Sequence, residues 1–186
     1  MISWIRAMAR AVLDRIRAAR DPVGFARSLG VRIGSNVHFY GMSRSMFGSE
    51  PWMIRIGDNV YITAGVQFVT HDGGTLVLRK EVPSLEWSAP IDIGNDVYIG
   101  INTILLPGTT IGDRSIIGAG SVVSKPVPAN CVHAGVPARR ICSTDEYLEK
   151  MKRKSLGLGH LPGAEKDLAL REIYRKSGWF ASARKH

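Results

Sequence analysis

The chain has 186 residues, 45% of them apolar, and 25 basic against 16 acidic side chains, for a formal net charge of +9. That length suits one hydrophobic core with attachments, and no stretch approaches the roughly 20 apolar residues that span a bilayer. Cys131 and Cys142 lie outside any CxxC pattern, so neither a metal site nor a disulfide framework is indicated and a reduced, cytoplasmic setting is expected; the positive excess suits an anionic partner such as a phosphorylated cofactor, an acidic glycan, a phospholipid surface or nucleic acid.

Residues 1–30 read as an N-terminal helical cap. Within 1–20, Ile2, Ile5, Val12, Leu13 and Ile16 fall on one side of a helix, with Arg6, Arg10, Arg15, Arg17 and Arg20 largely on the other. The plain expectation is a lid over the open end of the coil that follows. The competing one is a basic amphipathic helix resting on an anionic membrane and making weak contact with it.

Residues 31–141 carry a six-residue period, first in Ile33 and Phe39, then in Ile56, Ile62 and Phe68, and without a break in Ile93, Ile99, Leu105, Ile111, Ile117, Val123 and Ala129. A helix repeats its apolar positions at three and four and a simple sheet at two, so this period predicts a short strand and a corner wound around one axis, a parallel β-helix. Each coil is then about eighteen residues, stacked about 4.8 Å from the next. About five coils share a core that must be closed at both ends. Gly94, Gly100, Gly112 and Gly118 follow inward residues at corners where a Cβ is unfavourable, and Pro107, Pro126 and Pro128 interrupt pairing near corners.

Residues 71–92 fall out of phase and form an inserted loop. His71 closes the run Phe68, Val69, Thr70 where the coil departs into it, which puts the imidazole at the rim of a cleft and not in the interior. Its neutral ring can take a proton near pH 7. Asp72, Asp58 and Glu86 are the carboxylates available to orient it, with Glu86 attractive because it ends the loop. Trp87, Trp52 and Phe47 are equally readable as stacking surfaces for a ligand or as packing residues. His38, His133, His160 and His186 are weaker candidates, and they form no close-spaced pair in sequence of the kind that holds a metal.

Residues 142–186 form a C-terminal helical extension. Ser143 and Glu146 make a capping box for a helix over 146–154, and a second helix over 164–176 follows the break at Gly157–Gly163. The pair is expected to cap the coil or meet another subunit.

The stretch from Glu86 to Ile141, EWSAPIDIGNDVYIGINTILLPGTTIGDRSIIGAGSVVSKPVPANCVHAGVPARRI, resembles the hexapeptide-repeat acyltransferases, particularly the maltose, galactoside and nodulation O-acetyltransferases and their relatives in polysaccharide synthesis. The resemblance extends to Ile56–His71. It implies a left-handed coil, against the usual crossover hand, and a homotrimer that uses acetyl-coenzyme A with each site between two subunits. His71 matches the family's catalytic base. The donor-binding pattern carries over to Gly100 and Ile101 after Tyr98-Ile99, to Ala119 in IGAGS, to Ser124 and Lys125, and to Arg139 in PARR. Tyr98 stands where close relatives have tryptophan, and Cys142 where a basic residue often follows, leaving Arg140 as a substitute.

The function expected is therefore acetyl-coenzyme A-dependent O-acetylation of a sugar, most simply a surface-polysaccharide precursor. Transfer is direct, because Cys131 falls within the coil repeat and has no base beside it in sequence. The alternatives are N-acetylation of an amino sugar and a non-catalytic β-helix scaffold. Nucleic acid is not expected, since the charge is concentrated in the caps without interleaved aromatic platforms.

Overall fold

The computed structural model describes residues 2–179. The chain divides into two compact units, Met1–Tyr147 and Leu148–His186. Two helices, α1 (Ile2–Arg20) and α2 (Pro22–Ser28), precede the short strands β1 (Arg32–Ile33), β2 (His38–Phe39), β3 (Ile54–Ile56), β4 (Tyr61–Ile62) and β5 (Gln67–Phe68). A single helical turn, α3 (Thr75–Leu78), interrupts the series. Then come β6 (Ile91–Ile93), β7 (Tyr98–Ile99), β8 (Ile104–Leu105), β9 (Thr110–Ile111), β10 (Ile116–Ile117), β11 (Val122–Val123), β12 (Cys131–Ala134) and β13 (Arg139–Ser143), and last α4 (Thr144–Lys154) and α5 (Gly163–Lys176).

The chain visits three sides of a prism in rotation. Strands β1, β3, β6 and β9 form one parallel sheet, β2, β4, β7, β10 and β12 a second, and β5, β8 and β11 a third. Register keeps the periodic side chains in columns: Ile33, Ile56, Ile93 and Ile111 on the first side, Phe39, Ile62, Ile99 and Ile117 on the second, and Phe68, Leu105 and Val123 on the third. All but Ile33 and Phe39 are buried. No coil buries its own inward face, so the stack is the unit of stability.

Two kinds of corner residue make this winding possible. Gly94, Gly100 and Gly112 serve close approach: a Cβ on Gly100 would stand 2.5 Å from the Ala119 nitrogen of the next coil. The left-handed conformation falls instead two residues later, on Asn59, Asp96, Asn102, Arg114 and the glycines Gly65 and Gly120, where asparagine, aspartate and glycine are the least strained choices.

The periodicity fails at three places. In the first coil the third strand is replaced by a 3-10 turn, Arg44–Phe47, that buries Met46 and Phe47. Phe47 stacks on Phe68 with ring centroids 5.5 Å apart, so it is a core residue and not a sugar platform. At the far end, Ala129 is exposed and Val127 is buried in its stead. Of residues 126–128 only Val127 has a backbone N–H, and it donates to the Thr110 carbonyl at 2.8 Å, which fixes the last rung opposite Ile111. Then His133 enters the second column above Ile117. It is buried, and its Nδ1 has no partner among the described residues.

The lid over the first coil is α2 and not the apolar stripe of α1. Asp21 accepts the Gly24 N–H at 2.8 Å, and Pro22 begins the new helix, which stops α1 and turns the chain inward. Ala26 then joins the same core as Val31 and Val37, with Val23 and Leu29 packed against it. On α1, Ala18 is buried, whereas Val12, Leu13 and Ile16 are exposed; the side chains of Ile2 and Ile5 lie outside the described residues, as does His186. Among the described residues no helix is long and apolar enough to cross a membrane.

After the coil, β13 folds back antiparallel on β12. Ser143 and Glu146 form the reciprocal capping box, with the Glu146 N–H donating to Ser143 Oγ at 3.1 Å and Glu146 Oε2 accepting the Ser143 N–H at 2.6 Å. In the second unit α5 carries the exposed ion pairs Arg171–Asp167 and Lys176–Glu172, both at 2.7 Å.

Candidate active site

Beyond Phe68 the chain reaches the edge between the third and first sides and leaves it as the inserted loop. The loop closes on its own base: the Asp72 N–H donates to the Trp87 carbonyl at 2.9 Å, the Ala89 N–H to the Thr70 carbonyl at 2.9 Å, and His71 pairs with Ser88. This short antiparallel bridge holds the imidazole at the mouth of a cleft of about 320 Å³ whose lining includes Ser49, Glu50, Arg79, Glu86 and Ser88.

Within the cleft His71 Nδ1 lies 2.8 Å from Glu50 Oε2, and the same oxygen accepts the Thr70 hydroxyl at 2.7 Å. The Glu50 side chain is 24% exposed and that of His71 42%. Hydrogen bonds from Thr70 and then from the His71 ring hold the Glu50 carboxyl below its ordinary value, outweighing the opposite pull of burial. An ionised Glu50 accepts and does not donate. The hydrogen-bond network therefore puts the proton of a neutral His71 on Nδ1 and leaves the Nε2 lone pair free to take a proton.

The carboxylate hydrogen-bonded to His71 is Glu50 and not Glu86. Glu86 lines the same cleft, but it accepts the Ser88 hydroxyl. Asp72 accepts the Gly74 N–H at 2.8 Å, and Asp58 binds the Ser35 N–H at 2.6 Å on another edge. Glu50 escaped the sequence reading because it belongs to the segment between Phe39 and Ile54, where the period is lost. The only signal there was the loss itself, a stretch too long for one coil corner that had to lead somewhere.

The remaining candidates lie on two edges. Ser124 and Lys125 are exposed on the edge of His71, two coils further on, about 10 Å along the axis. Gly100, Ile101 and Ala119 occupy the edge between the second and third sides, where the Gly120 N–H donates to the Ile101 carbonyl at 2.8 Å. The amides of Ile101 and Ala119 make no hydrogen bond among the described residues. Arg139 is exposed and opens β13 opposite Ala134, at the end of the prism. One chain thus does not bring Ile101 and His71 together.

The family profile described as bacterial transferase hexapeptide (six repeats) matches residues 90–125. Protein CapG of Staphylococcus aureus is 50% identical over 125 residues, which cover 67% of this chain and 73% of that protein. The chain belongs to the hexapeptide-repeat acyltransferases. Galactoside O-acetyltransferase of Escherichia coli is 43% identical over 121 residues, although the match spans only 57% of its length. Among solved structures, a hexapeptide-repeat acetyltransferase of Vibrio cholerae in complex with acetyl-coenzyme A has a TM-score of 0.53 at 26% identity, covering 73% of this chain and 85% of that one. Membership makes the three-sided coil a left-handed parallel β-helix and the protein an acyltransferase, which sets aside the non-catalytic scaffold.

Proposed function

We propose that the protein is an acetyl-coenzyme A-dependent O-acetyltransferase whose acceptor is a sugar hydroxyl, most simply on a precursor of a surface polysaccharide. The observation that carries this reading is the Glu50–His71 pair at 2.8 Å in the loop cleft. An alcohol is a weak nucleophile until its proton is being removed, and a base oriented by a carboxylate through its second nitrogen is the usual solution. His71 Nε2 takes the hydroxyl proton as the oxygen attacks the thioester carbonyl, and returns a proton to the departing sulfur. The charge that develops on the carbonyl oxygen needs a donor. The unpartnered Ile101 N–H is suited to that role.

The residues present fit the donor. Gly100 and Ala119 pack backbone to backbone, and the exposed Ile101 beside them offers apolar surface to a long, partly apolar chain, while the exposed Lys125 and Arg139 are cations for its phosphates. Because His71 and Ile101 stand on different edges, we infer a homotrimer in which a site is shared between neighbouring copies. The free thiols of Cys131 and Cys142 suit a reduced, cytoplasmic setting. Cys131 is buried against the Ala129 carbonyl, which favours direct transfer over an acyl-enzyme.

The test is mass spectrometry of products from a panel of neutral sugars, amino sugars and lipid-linked sugars incubated with acetyl-coenzyme A. Gain of one acetyl group on oxygen supports the reading. Acetylation confined to an amino nitrogen makes the enzyme an N-acetyltransferase, and transfer to no acceptor across the panel overturns the carbohydrate assignment.

A further inference from the structure

Helix α1 presents an apolar stripe to solvent while its opposite face carries the contacts with the protein. Trp4, Met8, Val12 and Ile16 recur every fourth residue, and their exposures are 68%, 51%, 53% and 44%. A spacing of four keeps them on one side over the described length of the helix. The inner side holds the buried Ala18 and Asp14, whose carboxylate pairs with Arg44 at 3.6 Å and is only 15% exposed. With α2 closing the core, nothing in the first coil requires this stripe.

Its charge distribution points to one kind of partner. Arg6, Arg10, Arg15, Arg17 and Arg20 are all exposed, and the only acidic residue of the helix is the paired, withdrawn Asp14. Helical spacing sets Arg15 and Arg20 beside the stripe, whereas Arg6, Arg10 and Arg17 line a groove on the inner side with Phe25 and Leu29. An apolar stripe flanked by cations on a basic helix with no exposed carboxylate matches the boundary of a bilayer, where acyl chains lie beneath anionic headgroups. A two-fold contact with the same face of a second copy would set arginines against arginines, which an interface at its core avoids. We propose that the outer face of α1 docks the enzyme on an anionic phospholipid surface, with Trp4, Met8, Val12 and Ile16 entering the headgroup boundary and the arginines meeting phosphates. The docking does not depend on the acetyl-transfer chemistry, and it would bring the cleft to a membrane-borne acceptor.

The test uses the full chain and vesicles of phosphatidylcholine with or without phosphatidylglycerol. Co-sedimentation is expected with the anionic vesicles alone, falling as salt rises, and weakening about five-fold for each arginine replaced by glutamine. Val12→Glu with Ile16→Glu is expected to abolish binding without changing the melting temperature, the molar mass or activity on a soluble acceptor, because both side chains are already in solvent. A measurement on the unaltered stripe supplements it: anionic vesicles should shift tryptophan emission to the blue, and Trp4→Phe should remove that shift. Protein that stays in the supernatant with anionic vesicles at low salt overturns the proposal. So does a double variant of changed molar mass, which would make the stripe a surface between copies.

Discussion

Glu50 precedes His71 by 21 residues, yet its Oε2 lies 2.8 Å from the imidazole Nδ1. The pairing arises because two departures from the coil, the segment after Phe39 and the loop after Thr70, meet at one edge. Phe47 anchors the first departure on Phe68, and the Thr70 hydroxyl fixes the carboxylate that the first delivers to the second. A core contact and the orientation of the imidazole thus depend on the same two short segments, 47–50 and 68–71.

Replacing that carboxylate by its amide tests the orientation. Glu50→Gln keeps the shape but can offer an N–H to Nδ1, favouring the wrong tautomer, and a fall in kcat on the order of 10- to 10³-fold is expected with little change in the KM for acetyl-coenzyme A. The pH dependence follows from the lowered carboxyl value. Its contribution to stability is complete above the unfolded value near 4.3 and is lost as pH falls through the lower folded value. Thermal melts of wild type and Glu50→Gln should therefore converge in acid. An unchanged kcat in the folded variant would leave Glu50 a structural residue.

His133 should make the end of the coil acid-sensitive. Burial first, and the neighbouring Arg140 second, hold its ring below the ordinary histidine value. The unfolded chain then binds the extra proton more readily, so stability rises with pH across this range and is lost as pH falls below about 6.5. His133→Leu removes both the unpartnered nitrogen and the proton linkage. Its melting temperature is expected to equal or exceed that of the wild type at pH 8 and to exceed it by more at pH 5.5; a variant that tracks the wild type across that range would contradict the account.

Under the proposed function Lys125 and Arg139 meet the donor phosphates and not the reacting centre. Changing both to glutamine should raise the KM for acetyl-coenzyme A roughly ten-fold or more while kcat moves much less, because contacts far from the thioester hold ground and transition states alike. Steady-state kinetics with each substrate varied in turn decides it. An effect confined to acceptor kinetics would place the donor groove elsewhere.

The columns of the coil were legible because each inward side chain repeats its neighbour's environment; Ile99 and Ile117 could be paired on paper and are paired in space. Legibility ended where local chemistry overrode the period. Ala129 kept the six-residue step, but prolines on both sides of Val127 left one N–H to make the rung. Amphipathicity located α1 but could not say which face meets the protein, and the lid fell to α2, whose Pro22 and Asp21 announce a helix start. Glu50 carried no periodic signal at all, so His71 could be singled out from its loop entrance together with the family resemblance, while the carboxylate it bonds could not.

Removing the imidazole tests the central claim most directly. With acetyl-coenzyme A and an identified acceptor both saturating, His71→Ala is expected to keep the fold and the oligomeric state of the wild type while turnover falls on the order of 10²- to 10⁴-fold, the usual contribution of a positioned general base. Near-normal turnover in the folded variant would contradict the account and move the chemistry away from the loop cleft.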